Sequence, residues 1–339
     1  MRHHPSKARI RIATVMCSVL MVSAFLGERA FAEEEEGGFF DWLFEWFDSS
    51  PDSTDETRYE GATDNDVAQA AQDLMAEINI VRDELGVFDY PAEAELQEDR
   101  SPVHVYAKTL EVLSKVVRAQ RRFGVPEAES RQIPFKEVNS GDVLANINYV
   151  IDEIRKIKSQ MMIEREIQSA TVAGGVSPSY AYKSLADASF LLDGLGGRPL
   201  TPNDVYGNCL SILDEMELIA NELDVPIDLD LPEVNEEKKP KEVAQQVLRA
   251  TYKVINLQTR LGMDASGVPS LTLVRVTPSE VYDSTNMLLA EMARIKFHLG
   301  VNEQRAERPE PSGMAPQDSF ALVLGIIRNL DTMSAGVRT

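Results

Sequence analysis

The chain has 339 residues, and its 55 acidic side chains outnumber 34 basic ones to give a net charge of −21 at pH 7. Such an acidic surface excludes nucleic acid and anionic lipid as preferred partners, because both would repel it. With one of its two cysteines in the leader described next, the mature chain has no internal disulfide. We expect the other, Cys209, to be a small buried core residue, with a disulfide-linked dimer as the alternative.

Residues 1–32 have the pattern of a secretory signal peptide. A basic start precedes an apolar run from Ile12 to Gly27, and the small-x-small sequence ending at Ala32 suits cleavage there. The apolar run is too short for a comfortable membrane span. We therefore expect export, with a periplasmic or secreted mature protein of 29 basic and 54 acidic residues.

Residues 33–62 combine strong acidity with a short aromatic motif, followed by a polar stretch that is typical of a flexible tether. The motif fits three uses: packing on the protein's own first bundle, docking onto a partner protein, and, less well because no Lys or Arg accompanies it, contact with a membrane interface. The candidate docking residues are Phe39, Phe40, Trp42, Leu43, Phe44, Trp46 and Phe47.

A repeat with a period of about 38 residues runs through the remainder of the chain, and self-similarity at a fixed period predicts one structural unit per copy. The interval between successive copies is constant except at one joint, where it is shorter by the length of one connector. Equivalent anchor positions are Val67, Val105, Val143, Ala181, Val205, Val243, Val281 and Ser319.

Each copy predicts one long amphipathic helix. A capping residue stands four positions before the anchor, Pro often follows it at the first helical position, and an acid often completes a capping box. Lys239 and Ala315 are the two poor caps. Beyond the anchor, apolar residues recur at +7, +8, +11, +14 and +18, which places them on one helix face. The eight copies therefore predict eight helices of about 20–24 residues each.

The chain also repeats at a longer period, so that residues 200–339 duplicate residues 63–199. Four inward-facing apolar stripes in each half predict two tandem four-helix bundles, with an open superhelical array as the alternative. The connectors are long for hairpins and carry apolar residues such as Leu229 and Leu231, so we expect them to pack along the helices. The direction of the helices stays open.

Two sets of side chains recur on the predicted helices. Glutamates at position +10 (Glu77, Glu153, Glu215 and Glu291) favour ion pairs between helices, with Lys115 and Lys253 as the opposite charges, over a cation site. A weaker pattern indicates a ligand pocket or paired anion site, made by Tyr106, Tyr206, Tyr282, Gln120, Gln258, Arg122 and Arg260.

The sequence lacks motifs for haem, zinc, calcium or phosphate binding, and we expect no cofactor, no metal and no enzymatic activity. The hypothesis favoured is an exported protein-interaction scaffold or adaptor of the cell envelope, with a protein partner and no transmembrane segment. The alternative is a periplasmic small-ligand or sensory binding protein with its pocket in or between the bundles.

Overall fold

A computed structural model describes residues 59–169, 171–196, 199–265, 267, 276–303 and 308–337. Throughout these residues the secondary structure is eight helices without a strand, which confirms the predicted all-α class. The helices are α1 (Asp64–Glu84), α2 (Pro102–Phe123), α3 (Ser140–Gln160), α4 (Pro178–Asp193), α5 (Pro202–Glu222), α6 (Pro240–Arg260), α7 (Pro278–Leu299) and α8 (Pro316–Gly336).

Every helix begins at the capping residue that the repeat predicts. In the first copy the backbone N–H of Thr63 donates to Asp66 Oδ2 at 2.8 Å, which is one half of a capping box. The acid makes this hydrogen bond even where the capping residue is a poor one. The N–H of Ala315 donates to Asp318 Oδ2 at 2.7 Å. The caps are Thr63, Ser101, Asn139, Ser177, Thr201, Lys239, Thr277 and Ala315.

The helices form two closed four-helix bundles, each with its own hydrophobic core. In the first, α1 and α2 lie diagonally opposite and each contacts α3 and α4; in the second, α5 and α6 lie opposite and each contacts α7 and α8. A closed ring of four helices excludes the open superhelical array. Cys209 is fully buried in the second core, as predicted.

All four helices of a bundle run in the same direction. In the second bundle the first turns of α5, α6, α7 and α8 meet around one small cleft at one end. In the first bundle, Ser140 Oγ donates to Asp64 Oδ1 at 2.7 Å between helix starts, and Arg82 donates to the Leu191 carbonyl at 2.6 Å between helix ends. Parallel helices require connectors that return along the full length of the bundle.

The connectors between α1 and α2 and between α5 and α6, which are described throughout, run back along the outside of a helix. Between α1 and α2, the N–H of Ala94 donates to Asp187 Oδ1 at 2.6 Å on α4. Between α5 and α6, the N–H of Asp228 donates to Asn329 Oδ1 at 2.8 Å on α8. These connectors pack along the helices as predicted, although Leu229 and Leu231 remain 51% and 41% exposed.

Two of the four repeated glutamates, Glu77 and Glu215, form the predicted ion pairs between helices of a bundle, but not with the expected lysines. Glu153 pairs instead with Lys156 of its own helix. Glu77 receives Lys158 Nζ at 2.5 Å from α3, and Glu215 receives Lys296 Nζ at 2.6 Å from α7. The lysines expected to meet the glutamates reach the ends of the fourth helices instead. Those pairs are Lys115 with Asp193, and Lys253 with Asp331.

The one short joint of the repeat coincides with a reversal of the second bundle. The connector between α4 and α5 spans positions 194–201, about half the length of the connectors between the other successive helices. The segment that would carry the chain back is missing here, so α5 begins near the end where α4 stops. The described residues belong to one compact unit, in which α2 of the first bundle packs against α7 of the second.

Candidate functional site: the groove between the bundles

The contact between the bundles is an antiparallel pairing of α2 with α7. His104, near the start of α2, reaches Glu291 in the second half of α7, with 2.6 Å between Nε2 and Oε1. Arg118, near the end of α2, reaches Asp204 at the start of α5, with 2.6 Å between Nη2 and Oδ1. The side chain of Met287 on α7 joins the hydrophobic core of the first bundle.

A buried charge cluster holds this contact together. Lys108 Nζ lies 2.9 Å from Asp283 Oδ1 on α7 and is also paired with Glu111 on its own helix. Burial opposes a charge on Lys108, but the two carboxylates outweigh it and raise the pKa of the amine, so the amine stays protonated. Tyr182 Oη completes the cluster by donating to Asp283 Oδ2 at 3.2 Å.

The imidazole of His104 is held in one tautomer. The backbone N–H of Ser101 donates to Nδ1 at 3.1 Å, so Nε2 carries the proton that Glu291 accepts. Gln258 Nε2 donates to the other oxygen of Glu291 at 2.6 Å. Burial alone would raise the pKa of Glu291, but the hydrogen bond from His104, the charge of Arg294 and the hydrogen bond from the Gln258 amide lower it.

Beside this contact an open groove of about 560 Å³ runs between the bundles. Its walls are α2, α5 and α7, and its rims are residues 127–135 on one side and Asn302, Glu303 and Glu310 on the other. Phe135 on the first rim packs edge-on against Phe297 of α7, with 5.8 Å between ring centroids. Helix walls held by buried ion pairs make this a preformed surface.

The floor of the groove is polar. Asn208 Nδ2 donates to Asn286 Oδ1 at 2.7 Å and lies 3.0 Å from Thr285 Oγ1, which ties α5 to α7. Tyr282 and Ser114 are hydrogen bonded across α7 and α2, and burial raises the pKa of the Tyr282 hydroxyl. The phenol therefore stays neutral at physiological pH and serves as a hydrogen-bonding group.

The groove carries more acid than base. Six acidic side chains and four basic ones are among the described residues that line it. Three of the basic groups already have carboxylate partners: Arg118 with Asp204, Arg121 with Glu127, and Lys296 with Glu215. The acidic residues are Glu127, Glu129, Asp204, Glu215, Glu303 and Glu310, and the basic ones are Arg118, Arg121, Arg131 and Lys296.

The structure does not bring the seven sequence-predicted pocket residues together at this groove. Of these seven described residues, Tyr282 lines it. Tyr106 is buried in the first core, and Tyr206 packs against the second. Arg122 donates to the Leu195 carbonyl and Arg260 donates to the Ser334 carbonyl at 2.8 Å, so both hold the C-terminal end of a bundle.

The two glutamines of that set are structural and equivalent. Gln120 Nε2 donates to Glu153 Oε2 at 2.7 Å in the first bundle, and Gln258 makes the same bond to Glu291 in the second. Both amides are fully buried. Each therefore satisfies a buried carboxylate at the joint between two helices, in positions that recur because the fold is duplicated.

Four residues of the groove were not predicted from the sequence, because they lie off the apolar stripe of their helices. They are Ser114, Arg118, Asn208 and Asn286. One signal exists in the sequence. Along the outer side of α2, Val103 and Ala107 replace the Lys241 and Gln245 of the matching helix α6. Small and apolar residues on an outer face indicate that another surface covers it.

The aromatic docking motif, residues 39–47, and the leader lie outside the described residues. Within the described part of the chain, no helix has the length and apolar character needed to cross a membrane. The same residues contain no group of three or more His, Cys, Asp or Glu side chains suited to a metal ion. Comparison with models of known families, with curated proteins and with solved structures gave no match.

Proposed function

We propose that the protein is a non-catalytic binding scaffold that holds a segment of a partner protein in the groove between its bundles. The observation that carries this proposal is the groove itself: about 560 Å³, open, and walled by three helices from both bundles. Because ion pairs already join α2, α5 and α7, a segment that binds there does not have to order the groove first, and little binding free energy is lost to that ordering.

Both histidines of the mature chain support binding over catalysis. His104 is fully buried, with both ring nitrogens engaged by Ser101 and Glu291. His298 Nε2 lies 3.1 Å from the Leu261 carbonyl, where it holds the start of a connector. A general base needs a nitrogen within reach of a substrate, and each of these rings has a structural partner instead.

The proposed place of action is outside the cytoplasm. The signal-peptide pattern of residues 1–32 supports export, and the charge of the mature chain, −25, supports a soluble protein that is repelled by anionic surfaces. In this setting the aromatic motif of residues 39–47 is a second candidate contact for a partner. A tether between that motif and the bundles would let both contacts engage one partner.

A small-ligand binding protein is the second candidate function. The volume of the groove falls within the range of about 300–1,000 Å³ that ligand sites occupy. Small-molecule sites are mostly apolar and enclosed, however, whereas this groove is open and has a polar floor. These properties favour a polypeptide segment as the occupant.

Site-specific crosslinking tests the proposal. A photo-reactive amino acid replaces Gln132 on the groove rim, and the matched control replaces Tyr252 on the exposed side of α6. We expect one discrete protein adduct in the native cell envelope from Gln132 and none of the same mass from Tyr252. Equal adducts from both positions, or none from Gln132, would contradict the proposal.

A thermal-shift screen separates the two candidate functions. A metabolite that raises the melting temperature of the wild-type protein, and does so less for the Asn286→Asp variant, would favour the small-ligand function. A partner adduct at Gln132 without any metabolite response would favour the scaffold.

A further inference from the structure

Two residues that line the groove each carry a buried hydrogen-bond donor without an acceptor. Arg118 uses Nη2 for Asp204, and its Nη1 has no hydrogen-bond partner. Asn286 uses Oδ1 for Asn208, and its Nδ2 has none. Asn286 is 7% exposed, and buried donors of this kind are costly unless an acceptor meets them. The pair therefore indicates an occupant that supplies acceptor oxygens.

The two donors lie beside residues of α5 that are one helical turn apart. Arg118 pairs with Asp204 and Asn286 with Asn208, and side chains four residues apart on a helix are neighbours at about 5–6 Å. An extended polypeptide rises about 3.3 Å per residue and presents alternate carbonyls to the same side, about 6.6 Å apart. Donors beside successive turns therefore suit a main chain that offers several acceptors better than a single carboxylate group.

The charge of the groove decides which segment fits. Six acidic against four basic lining residues disfavour an acidic occupant and favour a neutral or basic one. Main-chain carbonyls supply acceptors without adding negative charge. The exposed carboxylates of Glu129 and Glu303 on the two rims are placed to meet basic side chains of the occupant.

We propose that the groove binds an extended, neutral or basic peptide segment of a partner, with two alternate backbone carbonyls accepting hydrogen bonds from Arg118 Nη1 and Asn286 Nδ2. This inference rests on the proposed function and adds its recognition chemistry. The rims, including the ring of Phe135, then determine which peptide side chains are accepted. The floor binds only the peptide main chain.

Peptide selection on the purified protein supplies the probe. A displayed library of random dodecapeptides is selected on the wild-type chain, and the strongest binder is measured by calorimetry against four variants. Asn286→Asp exchanges the donor for an acceptor with almost no change of shape, and Arg118→Lys keeps a charge beside Asp204. The matched controls are Asn148→Asp and Asn256→Lys, at the equivalent positions of the duplicated half.

We expect neutral or basic peptides to be enriched. Asn286→Asp and Arg118→Lys should each weaken binding by about tenfold, and the controls by less than about twofold. Backbone esters, whose carbonyls are weaker acceptors, are then placed at each peptide bond in turn. Two ester positions spaced two residues apart should weaken binding to the wild type, and one of these effects should vanish in Asn286→Asp.

Enrichment of acidic peptides, no enrichment at all, or unchanged affinity for both floor variants would overturn the inference. Thermal unfolding of each variant shows whether a lost affinity reflects a lost fold. The crosslinking experiment at Gln132 tests the proposed function independently of these variants. An adduct there together with unaffected floor variants would reject the carbonyl recognition and leave the scaffold function standing.

Discussion

The two bundles are copies of one unit, yet their second helices have opposite surroundings. In α2 the outer positions Val103, His104 and Ala107 are buried, and this helix packs against α7. In α6 the equivalent outer positions include Lys241 and Gln245, which are exposed. Internal bonds, such as the glutamine–glutamate pairs, are the same in both copies. Duplication thus preserved what builds a bundle and changed the face that joins the bundles.

A matching difference separates α7 from its counterpart α3. Asp283 and Ala290, which meet the first bundle, correspond to Ala145 and Asp152 of α3. The acid that pairs with Lys108 is therefore present in one copy and absent from the other. A groove forms where the changed faces of α2 and α7 meet, which locates the specialised part of the molecule at the joint between the copies.

Replacing Lys108 should cause the largest difference in stability between matched variants of the two copies. Lys108→Met removes the cation shared by Glu111, which is buried, and Asp283, which is 20% exposed. Lys115 stays 3.7 Å from Glu111, so we expect a cost of about 3 kcal/mol, at the lower end for a broken buried pair. Gln246→Met, at the equivalent position of α6, should cost under about 1 kcal/mol. Urea unfolding followed by circular dichroism measures both. Equal losses would mean that the α2–α7 contact adds nothing to stability.

Replacing Glu291 should change how stability depends on pH. Because its pKa is lowered in the folded chain, Glu291 contributes stability above its unfolded pKa of about 4.5, and this contribution is lost as the pH falls through the folded value. The free energy of unfolding of Glu291→Gln should therefore fall less steeply below about pH 4.5 than that of the wild-type chain. Chemical unfolding at pH 2, 3, 4 and 7 provides the measurement, and two identical slopes would contradict the assignment.

Improving a weak cap should give a smaller change of opposite sign. The backbone N–H of Ala315 already donates to Asp318, so Ala315→Thr completes a capping box and should stabilise α8 by about 1 kcal/mol. Thr277→Ala removes a complete box at the equivalent position of its own helix and should lose a similar amount. Melting temperatures that move in the same direction for both variants would contradict this account of the caps.

Lengthening the short joint should have the smallest effect. A flexible insertion of about 14 Gly and Ser residues after Pro199 restores the regular spacing but costs under about 1 kcal/mol in closure entropy. Because the buried contact between α2 and α7 holds the orientation, the crosslinking pattern of the groove should persist. Its loss, with both bundles still folded, would show that the short joint itself imposes the reversal.

The helices were predictable from the sequence, whereas their direction was not. Caps such as Thr63 and Asn139 make hydrogen bonds to residues close by in the sequence, and the apolar stripes repeat with the period of a helix. Both features can therefore be recognised from the sequence alone. Most connectors are long enough to return along a helix as well as to make a loose hairpin, and this left parallel and antiparallel bundles open.

The groove was less predictable than the helices. Arg118 and Asn286 are polar residues on different helices, and nothing in their local pattern places them together. Their meeting depends on which outer face of the first bundle the second one covers. The exchange of Lys241 and Gln245 for Val103 and Ala107 marks that face, but a single sequence does not name the helix that covers it. Tyr282 alone of the predicted pocket residues lies at the groove, because the other six serve the cores or the bundle ends.

The parallel course of the helices is the feature on which the reversal and the groove depend, and a distance between spin labels tests it directly. Labels at Glu84 and Gln160 mark the exposed C-terminal ends of the neighbouring helices α1 and α3, in a chain whose native cysteines are replaced by alanine. Parallel helices predict a separation under about 25 Å, since packed helix axes lie about 8–10 Å apart. A distance of about 35 Å or more, the result of adding the length of a helix of about 30 Å, would contradict the fold and with it the groove.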